Sequence, residues 1–251
     1  MYLDGSSARL TNSAPGSLPS PITMGFWAKW DVNPFTGGNA VMVGLNPSGG
    51  GSTTQKAVFP ALTNVGDVTI QDYNGTTNAL ATITNLATLG YWFFVLAHWK
   101  AVNSRRIYGV STNDFRVRSA TNVTSVTISP SEINIGCVHQ SSQFASFFNG
   151  HIAEWWYSKT DIGAGIGDPL PDALVLQLAM KGPWSLPFIA KDVAEYRSLR
   201  TLASTEDTSD EVYWGTSGKQ VWTNNGAIRS IHPPLSSDYV TLRSQFSPVQ
   251  V

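Results

Sequence analysis

Hydrophobic and polar positions alternate with a period of two along most of the first 160 residues. The clearest run is Thr23 to Val32, where Met24, Phe26, Ala28, Trp30 and Val32 form one apolar face and Gly25, Trp27, Lys29 and Asp31 form a mixed one. Successive side chains of a strand point to opposite sides, so this pattern predicts a half-buried β-strand. Tyr91 to Trp99 is apolar on both faces and predicts a strand in the middle of a sheet, covered on each side. Further strands are predicted at Ala40 to Leu45, Lys56 to Phe59, Val68 to Tyr73, Leu80 to Ile83, Arg106 to Ser111 and Val123 to Ser129, separated by clusters of Gly, Pro, Asn and Ser. Many short strands with turn signals between them predict a two-sheet β-sandwich.

The stretch Glu132 to Asp161 completes that series. It holds a short apolar strand (Ile133, Ile135, Cys137), a polar loop, the pair Asn149-Gly150, and a second strand from His151 to Tyr157. An Asn-Gly pair favours a tight turn, so the stretch predicts a hairpin. In the second strand Ile152, Glu154 and Trp156 are expected on one face, with His151, Ala153, Trp155 and Tyr157 on the other. Each face carries a Trp, which predicts apolar cover on both sides.

These blocks, in order, resemble the laminin-G-like or concanavalin A-like jelly roll. Asp4-Gly5 and Leu10 fill the family's opening phrase, Thr23 to Val32 resembles its early strand, and Gly150, Ile152, Glu154 and Tyr157 fill its closing strand. Lys181-Gly-Pro-Trp-Ser-Leu resembles a phrase that follows the jelly roll in bacteriophage-encoded members, and Pro233-Pro234 resembles another. The resemblance implies an all-β, two-sheet antiparallel jelly-roll sandwich over residues 1–160. A connector with a short helix (161–187) and a C-terminal extension (188–251) that packs on the sandwich or on a neighbouring subunit are then expected. Asp172 is the expected N-cap of that helix and Gly182 its stop. Strands are also predicted at Val193 to Leu199 and Tyr239 to Arg243, and a strand pair within Val212 to Thr223.

Composition narrows the function. Charged residues make up 13% of the chain, with Lys+Arg 16 against Asp+Glu 17, so no basic excess exists to bind phosphate backbones. A surface rich in Ser, Thr, Asn and Gly suits protein or glycan contacts better than nucleic acid. No signal peptide is recognisable in MYLDGSSARL, and the longest apolar run is far short of the ~20 residues of a membrane helix. The expected setting is a virion assembled in a host cytoplasm, with no membrane partner. The single cysteine, Cys137, sits in an apolar strand and is expected to be a buried inert thiol.

No catalytic residue is assigned. A retaining glycosidase needs two carboxylates ~5 to 5.5 Å apart, and no strand here carries an E-x-D-x-x-E phrase; Glu154 is the one strand-borne acid of note. The four histidines (His98, His139, His151, His232) lack any zinc spacing, and His98 is expected to be a core histidine. No cofactor is expected. Calcium is the one ion the resemblance implies, with Asp4 its only carried-over ligand, because Ala153 stands where the family has an Asp. Of the nine tryptophans, Trp27, Trp30, Trp92, Trp99, Trp155 and Trp156 fall on predicted strands and are expected in the core, whereas Trp184, Trp214 and Trp222 are candidate partner contacts.

The resemblance therefore implies a non-enzymatic phage virion protein. Capsid decoration through contacts with other virion proteins is the first expectation, with homo-oligomerisation. A glycan-binding receptor module of a fibre or spike is the alternative, and a polysaccharide depolymerase the second.

Overall fold

A computed structural model describes residues 2–13, 20–32, 39–47, 58–63, 65–127, 129–140, 143–158, 161–164, 166–182, 209–214 and 218–226, with backbone alone at 58–59, 209–214 and 218–224. The strands in chain order are β1 (Tyr2–Asp4), β2 (Arg9–Asn12), β3 (Ile22–Trp30), β4 (Ala40–Val41), β5 (Val43–Asn46), β6 (Val58–Leu62), β7 (Val68–Tyr73), β8 (Asn78–Ile83) and β9 (Trp92–Ala101). They continue with β10 (Ser104–Ser111), β11 (Val117–Asn122), β12 (Glu132–Ile135), β13 (Val138–Gln140), β14 (Gln143–Ala145) and β15 (Asn149–Ser158). One helix, α1 (Asp172–Lys181), precedes β16 (Ser209–Trp214) and β17 (Gly218–Asn225).

Two antiparallel sheets face each other as a jelly-roll sandwich. The six-stranded sheet has the order β1-β15-β3-β9-β10-β11, and the nine-stranded sheet runs β16-β17-β2-β12-β5-β6-β7-β8, with β4 also on β6. Between them lies the main core, including Met24, Phe26, Trp30, Phe93, Val95, Trp99, Ile133, Trp155 and Tyr157. Met24, Phe26 and Trp30 come from the apolar phase of β3, as alternation predicted. The hairpin β16–β17 lengthens the nine-stranded sheet, β17 pairing with β2 through Thr223↔Thr11 and Asn225↔Arg9.

Helix α1 explains why the six-stranded sheet is apolar on its outer side too. Val175, Leu178 and Ala179 pack on Trp27, Phe94, Leu96, Tyr108 and Trp156, and Trp27 Nε1 donates to the Ala179 carbonyl at 2.9 Å. Pro171, rather than Asp172, occupies the N-cap and offers no side-chain acceptor; Asp172 lies in the first turn and Lys181 in the last, both favourable to the helix dipole.

Four local expectations are corrected. Asn149-Gly150 does not turn a hairpin: both residues lie inside β15, paired with Asp4 and Leu3, while β12 belongs to the opposite sheet. Gly150 is required there by proximity and backbone, since its φ is 147° and a Cβ would sit 2.1 Å from the Lys29 carbonyl oxygen. Ile152 and Trp156 do not share a face, because one extra residue enters β15 between Ala153 and Trp156, with Glu154 at φ 52°. This bulge turns Trp155 and Tyr157 inward with Ile152 and sends Trp156 outward, onto Gly25, where a Cβ would meet the indole at 2.6 Å. The described residues of the expected strand Val123 to Ser129 are not a strand; the sheet edge is instead the polar β11, paired with β10 from Arg105↔Asn122 to Val110↔Val117. Val32 leaves the buried face and is 54% exposed. Expectations for Val193 to Leu199 and Tyr239 to Arg243 lie outside the described residues.

Candidate functional site

Asp4 stands in the turn after β1, and its carboxylate is already engaged. Oδ1 accepts the backbone N–H groups of Ser6, Ser7 and Ala8 at 2.8 to 2.9 Å, and Oδ2 accepts the two serine hydroxyls. Slight burial raises its pKa, but these donors outweigh that and hold the carboxyl well below the usual range. The geometry is that of a turn cap, and among the described residues no group of three or more His, Cys, Asp or Glu side chains is placed to hold a metal ion. Trp184 and the side chains of Trp214 and Trp222 lie outside the described residues. All six tryptophans of the sandwich strands are buried, so none of them offers a face to a sugar ring.

The acids of the sandwich are distributed among structural partners. Asp72 receives Arg105 Nε and Trp99 Nε1, both at 2.6 Å, between the sheets. Burial pushes the Asp72 carboxyl up, and the Arg105 charge and the Trp99 bond act against that rise. Asp168 meets Arg106 at 2.8 Å, and Asp161 lies 3.0 Å from His98 Nε2, a close contact without hydrogen-bond alignment. His98 is buried on the outer side of the six-stranded sheet, and burial lowers its pKa despite Asp161 and Asp168 nearby. Cys137 is an inert thiol, its pKa pushed up to about 12 by burial.

The polar cluster that sequence reading did not assemble lies on the outer face of the nine-stranded sheet. Leu10, Ile133, Ile135, Val43 and Leu45 point into the core, so alternation sends Arg9, Thr11, Glu132, Asn134, Gly44 and Asn46 outward. The hairpin β13–β14 folds over this row. Gly44 permits the approach, because a Cβ there would sit 2.7 Å from the Cys137 carbonyl oxygen. Asn46 then clamps the hairpin by donating Nδ2 to the His139 carbonyl at 2.8 Å.

Side chains stack upward from there. Glu132 Oε1 lies 2.7 Å from both His139 Nδ1 and Asn134 Nδ2, and Thr11 Oγ1 donates to Asn134 Oδ1 at 2.9 Å. A carboxylate only accepts, so Nδ1 carries the imidazole proton and, in the neutral ring, Nε2 presents its lone pair. The His139 ring stacks on Phe144 with centroids 4.2 Å apart and planes 17° apart. Arg9 lies over Phe144 with Cζ 3.7 Å from the ring centroid, necessarily on the other face of the phenyl. Arg9 Nη1 donates to the Ser7 carbonyl at 3.1 Å, whereas Nε is shielded from solvent with no hydrogen-bond partner. Arg9, Thr11 and Phe144 are half-buried and Gln143 is exposed. The signal available in the sequence was the polar phase of β2 and β12; their pairing over 123 residues was not.

No protein-family model matches the chain, and no curated protein matches it by sequence. Solved structures share its fold. The CBM40 of Ruminococcus gnavus IT-sialidase, bound to alpha2,3 sialyllactose, aligns over 71% of this chain and 95% of its own, with 12% identity and a TM-score of 0.50. NanB with Optactamide aligns over 70% of this chain and 26% of its own, at 14% identity and a TM-score of 0.50; NanB is a sialidase of Streptococcus pneumoniae. Tailspike protein 2 of an Escherichia coli O157:H7 bacteriophage aligns over 62% of this chain and 22% of its own, at 9% identity and a TM-score of 0.46. This chain thus spans about a quarter of the two longer proteins. At these identities the likeness is one of fold, a jelly-roll sandwich of the concanavalin A-like type.

Proposed function

We propose that the chain is a non-enzymatic virion protein that acts by binding, first of all as a capsid-decorating subunit held by protein contacts. The observation that carries this reading is where the apolar side chains lie. The indoles of the sandwich strands are inside, while Val32, Val65, Leu89, Tyr91 and Phe115 are 43 to 62% exposed. Backbone bonds bring these five to one end of the sandwich: Gly90 N–H to the Trp30 carbonyl, Ala87 N–H to Gly66, and Thr112 N–H to Trp92. Val102 and Val123 are exposed at the other end, beyond the last residue of β9, and Leu80 is exposed on the edge strand β8. Apolar ends on a low-charge body suit contact with like subunits or other virion proteins. The distribution of acids among structural partners supports a role without catalysis.

Imaging of native particles with a label on this chain tests the reading. Regular density on the shell is expected; absence from particles would overturn it. Replacing Leu89 and Tyr91 together by Asp is expected to lower oligomer size and particle occupancy.

A second reading, a glycan-binding receptor module on the same virion, is favoured by a different observation: the half-buried Arg9–Phe144 pair beside exposed Gln143 on the outer face of the nine-stranded sheet. The sandwich of the CBM40 that carries sialyllactose makes such use of the fold compatible with this one.

A further inference from the structure

We infer that the end of the sandwich carrying Val32, Val65, Leu89, Tyr91 and Phe115 binds the same end of a second copy of this chain about a two-fold axis; this rests on the reading of the chain as a protein that acts through protein contacts. Residues 85–91 cross this end from one sheet to the other. On the nine-stranded side Asn85 N–H donates to the Asp67 carboxylate and Ala87 N–H to the Gly66 carbonyl, and on the six-stranded side Gly90 N–H donates to the Trp30 carbonyl. Val65 therefore belongs to the nine-stranded side and Phe115, on the β10–β11 hairpin, to the six-stranded side, with Leu89 and Tyr91 between them. Five such side chains, each about half exposed, present roughly 400–500 Å² per copy. That is about half of the ~800 Å² that each partner of a stable interface buries, and a polar rim supplies the rest.

Phe115 is the anchor. Its φ is 51°, a left-handed backbone position that glycine adopts freely and a bulky residue adopts only under strain. The turn is fixed around it: Phe115 N–H donates to the Ser111 carbonyl at 2.9 Å, and the Asp114 carboxylate accepts the Arg116 N–H and holds the Arg118 guanidinium. An aromatic ring is thus held in a strained position at a hairpin tip, where it is exposed and packing within the chain offsets little of the strain. A partner surface offsets it, and preorganised aromatic side chains are the ones that anchor interfaces. Charge selects the partner. Lys29 and His151 meet Asp31, and Arg118 meets Asp114, so these groups are already balanced and do not repel their own copies. Of the other described charges beside the patch, exposed Arg116 follows Phe115 and half-buried Asp67 follows Gly66. These two have opposite sign and lie on opposite sides of the crossing segment. A two-fold axis through Leu89–Tyr91 exchanges the sides and brings Arg116 of each copy toward Asp67 of the other, twice in one closed contact.

The test is sedimentation velocity of the full chain over a concentration series. A monomer–dimer equilibrium is expected, because a two-fold contact closes on itself. Phe115→Gly is expected to weaken the dimer by about tenfold. At concentrations where both chains are monomeric its melting temperature is expected to be unchanged or higher, since the strain leaves with the ring; a ring with a merely structural role would lower it. Arg116→Asp and Asp67→Lys are each expected to weaken self-association by about fivefold, and an equimolar mixture of the two variants to pair as tightly as the parent, because both charge contacts are complementary in the mixed dimer. A chain that stays monomeric throughout the series, a dimer indifferent to Phe115→Gly, or a mixture that pairs no better than either variant overturns the inference. The parent series and Phe115→Gly leave Asp67 in place, so a turn disturbed by Asp67→Lys does not rescue it. Particle occupancy reads the decoration role separately: a chain monomeric in solution yet present on particles keeps that reading and loses this one, and a dimer absent from particles does the reverse.

Discussion

Arg105 and Arg9 occupy opposite sides of the nine-stranded sheet, and the two surroundings differ in how completely the fold pairs the guanidinium. Arg105 is buried, and each of its three nitrogens donates: Nε to Asp72, Nη1 to Asn122 and the Thr124 carbonyl, Nη2 to the Val102 carbonyl. Its network is closed, with Trp99 completing the carboxylate. Arg9 is half-buried, lies on a ring instead of a carboxylate, and leaves Nε without a partner. A buried ion must be paired by the fold itself, because nothing else will reach it. Arginines of similar chemistry are thus sorted by whether their donors are already spent.

The comparison is broken most severely at Arg105. Arg105→Ala strands the Asp72 carboxylate between the sheets and is expected to cost about 3–5 kcal/mol, measured by urea unfolding. A loss below about 1 kcal/mol would mean that this network is not the closed one described. On the outer face, Glu132→Gln removes the charged acceptor from His139 and Asn134. About 1–2 kcal/mol is expected, together with faster amide exchange in β13 and β14.

His98 provides an intermediate case, a buried imidazole beside an acid that is itself partly exposed. Its folded pKa is lowered, so between the ordinary and the folded value the unfolded chain binds more protons and stability falls as pH drops. The contribution is complete above the ordinary imidazole value of about 6.5 and is lost on acidification below it. Melting curves recorded from neutral to mildly acid pH should show this slope in the parent and a flatter one in His98→Gln. The smallest effect on stability is expected at Arg9. Arg9→Ala gives up one half-buried cation–π contact, expected to cost about 0.5–1 kcal/mol by urea unfolding. A larger loss of stability would place Arg9 among the structural arginines and narrow the comparison.

Much of the fold was legible because it is written in a period of two. Met24, Phe26, Ala28 and Trp30 are inward as the alternation requires, and the double-sided apolarity of Tyr91 to Trp99 correctly demanded a second layer, which is α1. The bulge in β15 was not legible: one inserted residue reverses the faces of Trp155, Trp156 and Tyr157, and the residue that leaves room for the Trp156 indole, Gly25 on the neighbouring strand, lies 131 positions upstream. Polar β11 was missed because an edge strand has few apolar positions to betray it, whereas residues 123–127 have strand-forming side chains but join no ladder.

Residue pattern was therefore enough to settle the all-β sandwich and the burial of its tryptophans, since both follow from the phase of each strand taken alone. The candidate site needed the tertiary structure. Arg9, Glu132, His139 and Phe144 become neighbours only when β2 pairs with β12 and the hairpin crosses Gly44. Contacts between distant strands depend on register and sheet order, quantities that no single strand encodes, and it is those contacts that leave one arginine fully paired and the other with an unpaired donor.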